Sequence, residues 1–285
     1  MPVEWAVTRS AHPGAMTVLR YTTPVFDESG EETGKTAEKR LRIYLPADYS
    51  PDQEYDVLYM LNFDEDLYFD GGRDWSVMRN FFDHMMEEKR IRPMILAICA
   101  TGNHTSDVVN EETQLAFQHE LRQVIIPLVE ETYSTYADRT DAAALKASRS
   151  HRWVTGFSNG GYAAMFTFLK SLDYFRYFIP TGGSLFDNAG VPQRLQEAVS
   201  SWNGEYGAED FVLAFGTGGR DMSYPGIVEQ YQGICALRSP DFVPDPSLEK
   251  GNVSLQIGEN YRHGAEAMMS NLYVYLPMLQ GVNAN

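Results

Sequence analysis

Cysteine is nearly absent from this sequence: Cys99 and Cys235 are the only two in 285 residues. Two cysteines make no disulfide framework, and no Cys/His spacing matches a zinc site. Cys99 lies in the apolar run 94–100 (MILAICA), where a small buried hydrophobe is its expected role. Also missing is any apolar stretch near the ~18 residues that a membrane-spanning helix needs, so no membrane partner is expected. Basic charge is scarce. Lys and Arg number 23 against 39 Asp and Glu, a formal charge of −16, which argues against nucleic acid or an anionic membrane surface and suits neutral substrates. The opening stretch MPVEWAVTRSAHPG has neither a basic n-region nor an apolar h-region. No signal peptide is therefore expected here, which leaves a soluble cytoplasmic protein or one secreted with its signal removed. No Pro/Ser/Gly-rich linker, low-complexity block or fixed-period repeat divides the chain. With 44% apolar residues it has material for a full core, and we expect a single domain over 1–285.

What is present alternates. Residues 15–26 and 40–45 read as two strands of a β-hairpin (about 15–46) with a long charged tip. The continuous apolar runs 57–61 (VLYML) and 94–100 read as buried parallel strands. Helical spacing covers 75–89, whose Met and Phe stripe reads as core, and about 114–133, where Pro127 is expected to bend or break the helix. Further strands are expected at 153–155, 177–180, 211–215 and 253–257, and helices from 162, at about 226–237 and at about 264–279. Strands alternating with helices predict an α/β sandwich with a mostly parallel central sheet flanked by helices. In such sheets function gathers at the carboxyl ends of the strands.

One such end carries the sequence VTGFSNGG at 154–161. A short apolar strand, a G-x-S-x-G turn and an apolar helix are the context of a nucleophile elbow, which lifts the Ser158 hydroxyl off the sheet at a helix N-terminus. A nucleophilic serine needs a histidine base and a carboxylate to orient it, in the chain order Ser, acid, His on this fold. Of His12, His84, His104, His119, His151 and His263, only His263 follows Ser158. The acid candidates between them are Asp173, Asp187, Asp210 and Asp221. Asp221 follows strand 211–215 through a glycine-rich turn and is preferred; Asp187, in GGSLFDN, also follows a strand and is the runner-up. Asp173 and Asp210 read as surface positions, Asp241 and Asp245 as turn residues. The oxyanion donors are expected to be the backbone N–H of Asn159 and one from the loop after strand 57–61, at Phe63. Tyr68, Phe69, Trp75 and Tyr224 lie near strand ends and are candidates for a phenolic or sugar-binding cleft, the alternative for Trp75 and Phe69 being core or loop-anchoring aromatics.

With these residues placed, the chain resembles the carbohydrate esterase family of feruloyl and acetylxylan esterases, an α/β-hydrolase family related in fold to esterase D. The resemblance is carried by RIYLPADY at 42–49, YDVLYML at 55–61, FQHEL at 117–121, IIPLVE at 125–130 and GFSNGG at 156–161. LDYFRYF at 172–178, GTGGRD at 216–221 and YRHG at 261–264 complete it, over about 15–280. Asn62-Phe63 stands where that family has His-Gly after its first core strand, which removes the freedom of glycine from the oxyanion loop. The resemblance implies a serine esterase that uses Ser158, His263 and Asp221 to remove feruloyl or acetyl groups from xylan, without metal or organic cofactor. Two further readings are a small ester or thioester hydrolase of the S-formylglutathione hydrolase type, and a non-catalytic carbohydrate-binding protein on the same fold.

Overall fold

A computed structural model describes residues 1–62, 75–102 and 109–282. In chain order they form helix α1 (Glu4–Val7), strands β1 (Ala15–Phe26), β2 (Glu32–Leu45) and β3 (Asp56–Asn62), and helix α2 (Trp75–Glu87). Strand β4 (Met94–Ala100) leads to helix α3 (Glu111–Glu120), a π-helical turn (Leu121–Ile125) and helix α4 (Ile126–Thr132). Helix α5 (Ala142–Ala147) and a 3-10 turn (Arg149–His151) precede β5 (Arg152–Phe157), α6 (Asn159–Lys170), β6 (Tyr177–Thr181) and α7 (Val191–Ser200). The chain continues through β7 (Val212–Gly218), α8 (Tyr224–Leu237), β8 (Val253–Gly258) and α9 (Ala265–Gln280).

The eight strands make one sheet in the order β1-β2-β4-β3-β5-β6-β7-β8. β1 and β2 pair antiparallel over a long ladder, β2 joins β4 antiparallel, and every other pairing is parallel. This is the mostly parallel α/β sandwich that the alternation predicts. The reason is visible in the central strands: β3, β4 and β5 are buried along their whole length, as continuous apolar runs must be when helices cover both faces. Successive residues of β3 serve opposite cores. Val57, Tyr59 and Leu61 pack with the helices from α3 to α8, whereas Leu58 and Met60 pack with α1, α2 and α9. No helix among the described residues is long and apolar enough to cross a membrane.

Several element ends differ from the sequence-based expectation. The helix expected at 114–133 is three segments: α3 widens into the π turn, where the Ile126 amide reaches back to the Leu121 carbonyl, and then resumes as α4 with Pro127 in its first turn. Pro127 has no N–H to give the previous turn, so the ladder is rephased just before it. Gly216 to Gly218, expected in a turn, pair with Gln256 to Gly258 as the end of β7. Helix α6 begins at Asn159 rather than Tyr162, and α7 was not anticipated. Asp173 is no surface residue: it is buried and takes both ends of the Arg122 guanidinium at 2.6 and 2.8 Å. Phe63, Tyr68 and Phe69 lie outside the described residues.

Candidate active site

The site is built where β5 turns into α6. Ser158 has φ +56° and ψ −115°, a region that non-glycine residues rarely occupy and that costs on the order of 1–3 kcal/mol. Its backbone is held from both sides. The Ser158 N–H donates to the Thr181 carbonyl at the end of β6 (3.0 Å), and the Ser158 carbonyl accepts from the Tyr162 N–H (3.0 Å). The glycines of the motif answer to steric need. A Cβ on Gly160 would stand 1.8 Å from the Leu61 carbonyl oxygen, and one on Gly156 would stand 2.3 Å from the Gly160 backbone. Three backbones (the ends of β3 and β5 and the start of α6) therefore meet only because these side chains are missing.

Asp221 and His263 reach Ser158 from beyond the ends of β7 and β8. Asp221 lies three residues beyond β7 and is buried; its Oδ1 accepts from the Ser223 N–H (2.8 Å) and contacts His263 Nδ1 (2.7 Å). His263 lies between β8 and α9, with its side chain 26% exposed, and its Nε2 stands 2.9 Å from Ser158 Oγ. The two loops are tied together by backbone hydrogen bonds, Gly219 N–H to the Gly258 carbonyl (2.9 Å) and Arg220 N–H to the Tyr261 carbonyl (3.0 Å). A carboxylate accepts only, so Nδ1 carries the proton toward Asp221 and the Nε2 lone pair is left for the serine hydroxyl. The Phe157 ring lies against the imidazole, centroids 4.6 Å apart and planes tilted 43°. The hydroxyl thus has an acceptor, and the imidazolium formed by accepting its proton has a buried counter-charge. That arrangement can perform nucleophilic acyl transfer.

Of the other expected site residues, Asn159 is the first residue of α6, in the opening turn whose N–H groups have no intrahelical partner. Trp75 opens α2, and its side chain is outside the description. Tyr224 is the first residue of α8, half-buried, with its N–H donating to the Asp221 carbonyl (3.2 Å); it does not line the cavity at Ser158. Asp187 does not serve His263: it is exposed, and its Oδ1 accepts from the Gly190 N–H (3.3 Å) at the entry to α7.

A cavity of about 280 Å³ opens beside the serine, with walls that include Ser158, Asn159, Tyr162, Leu185, Phe186 and Met222. The Tyr162 and Phe186 rings lie 4.5 Å apart, and Phe186 and Met222 are 74% and 81% exposed, a large apolar exposure for a soluble surface. Burial raises the Tyr162 phenol above its ordinary pKa of 10, so it faces the cavity uncharged. Sequence reasoning named none of Tyr162, Phe186 and Met222 as wall residues. The available signal was their adjacency: Phe186 precedes Asp187, Met222 follows Asp221, and Tyr162 stands one turn after Ser158.

Three comparisons with known proteins fit this geometry. A family model described as "Putative esterase" matches residues 35–184, which include the elbow and stop short of Asp221 and His263. Endo-1,4-beta-xylanase Y of Acetivibrio thermocellus is 29% identical over 254 residues, 86% of this chain; the chain spans 22% of that protein's length. Among solved structures, a serine-to-alanine mutant of the feruloyl esterase module from Clostridium thermocellum, complexed with sinapinate, superposes with a TM-score of 0.84 at 23% identity, over all of this chain and 94% of that one. A ferulic acid esterase from the anaerobic fungus Anaeromyces mucronatus gives a TM-score of 0.70 at 15% identity, over 99% and 97% of the two chains. These structural likenesses share the α/β fold.

Proposed function

This chain belongs to the putative esterase family, and from that premise we propose that it is a serine carboxylic-ester hydrolase that removes feruloyl or acetyl groups from xylan. The observation that carries the reading is the continuous Asp221–His263–Ser158 relay, 2.7 and 2.9 Å between its heteroatoms. In the proposed reaction Ser158 Oγ attacks the ester carbonyl while His263 Nε2 takes its proton, and Asp221 holds the imidazole in the required tautomer. The tetrahedral oxyanion forms against the Asn159 N–H. Collapse expels the sugar hydroxyl, which receives the proton from His263; water, deprotonated by the same nitrogen, then cleaves the acyl-enzyme.

The substrate half of the proposal rests on three supports. The relatives are named for xylan and ferulate chemistry, the cavity at Ser158 is lined by aromatic and thioether side chains, and the net charge of −16 favours a neutral ester. We also take residues 1–285 to act as one domain, since a single sheet runs from the N-terminal strand β1 to the C-terminal strand β8.

The test is hydrolysis of methyl ferulate and 4-nitrophenyl acetate by wild type beside Ser158→Ala. Turnover of either ester that is lost in the mutant is the expected result. Full activity in the mutant would mean that Ser158 is not the nucleophile. Silence of folded wild type toward both esters would favour a carbohydrate-binding role for the same fold.

A further inference from the structure

Helix α8 contains two glycines, and they differ in what surrounds them. A Cβ on Gly233 would come within 2.6 Å of Pro192 Cγ. Gly226, in the first turn after Tyr224 and Pro225, is less crowded. Its φ is not positive, and the three atoms nearest to a Cβ there belong to side chains: the Asn188 amide at 3.3 and 3.4 Å, a close contact, and Ser184 Oγ at 3.5 Å. Glycine is the poorest helix former after proline, and its backbone conformation does not call for it here. Gly226, Ser184 and Asn188 all line the cavity at Ser158. What the missing side chain leaves behind is room in that cavity.

The wall opposite Gly226 is fixed. Gln230, fully buried one turn further along α8, donates from Nε2 to Asn188 Oδ1 and to the Leu185 carbonyl, both at 2.6 Å. Asn188 Nδ2 in turn donates to Glu229 Oε2 at 3.0 Å. With Asn188 pinned at both ends of its amide, a larger side chain at 226 has to take its space from the cavity. The position of the cavity also says which half of the ester it takes. Its walls include Ser158 and Asn159 but not His263, and the leaving alcohol must sit beside His263 Nε2 to receive its proton. The cavity therefore lies on the acyl side of the serine.

We propose that Gly226 sets the size of the acyl pocket, keeping it open for a planar aromatic acyl group between the Tyr162–Phe186 pair and Met222. This rests on the serine-esterase reading above, and commits it to aromatic acyl esters over acetyl. A side chain at 226 fills the aromatic group's space before it touches that of an acetyl group, whose single methyl stays near Ser158.

The test compares kcat/KM for 4-nitrophenyl ferulate and 4-nitrophenyl acetate, which share a leaving group and differ only in the acyl half. Gly226→Leu should lower the ferulate-to-acetate ratio on the order of 100-fold, and Gly226→Ala about three- to tenfold. Should Gly226→Leu fail to fold, Gly226→Ala carries the test, since the nearest atoms its methyl meets are side-chain atoms at 3.3 Å or more. A ratio within about twofold of wild type in folded variants overturns the assignment of Gly226 while leaving the esterase reading intact. Wild type that cleaves the acetate but not the ferulate ester has the same meaning. Wild type silent toward both removes the esterase reading itself, and the pocket assignment with it.

Discussion

Asp221 is the buried end of the proposed relay. Its carboxylate accepts from His263 Nδ1 and from the Ser223 N–H on the same oxygen. Asp221→Asn offers an amide that can present a donor to Nδ1, so the ring turns its proton toward Ser158 and loses its role as base. We expect kcat to fall by about 10⁴-fold with KM little changed, read by steady-state kinetics on methyl ferulate. Asp83 on α2 makes a different prediction. Burial raises its pKa above the ordinary 3.8, against the hydrogen bonds donated by the Gly14 N–H and Tyr44 hydroxyl at 2.7 Å each, which lower it. The folded protein therefore holds this proton to higher pH than the unfolded chain does. Its contribution is greatest below the unfolded pKa and is lost as pH rises from there through the folded value. Asp83→Asn, neutral throughout, should gain Tm relative to wild type as pH goes from about 4 to about 7. A constant difference in Tm across that range would show that folding does not shift the Asp83 pKa. Ser158, His263 and Asp221 were legible in the sequence because the elbow is a local pattern and chain order leaves one histidine. Phe186, Met222 and Gly226 were not, because a pocket wall exists only when the loops after β6 and β7 and the start of α8 come together.

Among the elements, the junction of β3, β5 and α6 is the tightest constraint on the site. The Gly160 Cα faces the Leu61 carbonyl so closely that even a methyl is excluded. Gly160→Ala must push α6 away from β3, carrying the Asn159 N–H and Ser158 with it. The expected outcome is a loss of at least about 1–3 kcal/mol in thermal or denaturant unfolding, together with a fall in kcat for the fraction that folds. Wild-type Tm and kcat in this variant would contradict the packing described. The strands β3 and β4 were readable because burial on both faces demands unbroken apolar runs. Element ends were less readable. β7 runs on through Gly216 to Gly218, as its pairing with β8 outweighs the turn preference of glycine, and the π turn before Pro127 is one of several ways to accommodate a missing N–H. Asp173 looked like an exposed helix-end carboxylate, since nothing local announces that Arg122, fifty-one residues earlier in the chain, will meet it.

Across the whole molecule, the relay stands at the carboxyl end of the sheet and a buried ion pair stands at the other. Arg152, the first residue of β5, pairs with Glu130 of α4, both nearly without solvent contact. Tyr59 and Thr135 hydroxyls also donate to Glu130 (3.1 Å each), and Arg152 donates to Ser148 Oγ (2.6 Å) and the Tyr174 carbonyl (3.2 Å). Glu130→Ala leaves the guanidinium buried without its counter-charge and should cost about 3–5 kcal/mol of stability, measured by urea unfolding. The same strand leads into Ser158, so the buried ion pair stands at the start of β5 and the proposed chemistry just past its end. Whether His263 activates Ser158 as a nucleophile is read by covalent labelling with a fluorophosphonate probe followed by peptide mass spectrometry. The expected result is one phosphonyl group per chain on Ser158, none on Ser158→Ala, and labelling slowed at least ~100-fold in His263→Ala. An adduct on another residue, or no adduct on folded wild type, would contradict it.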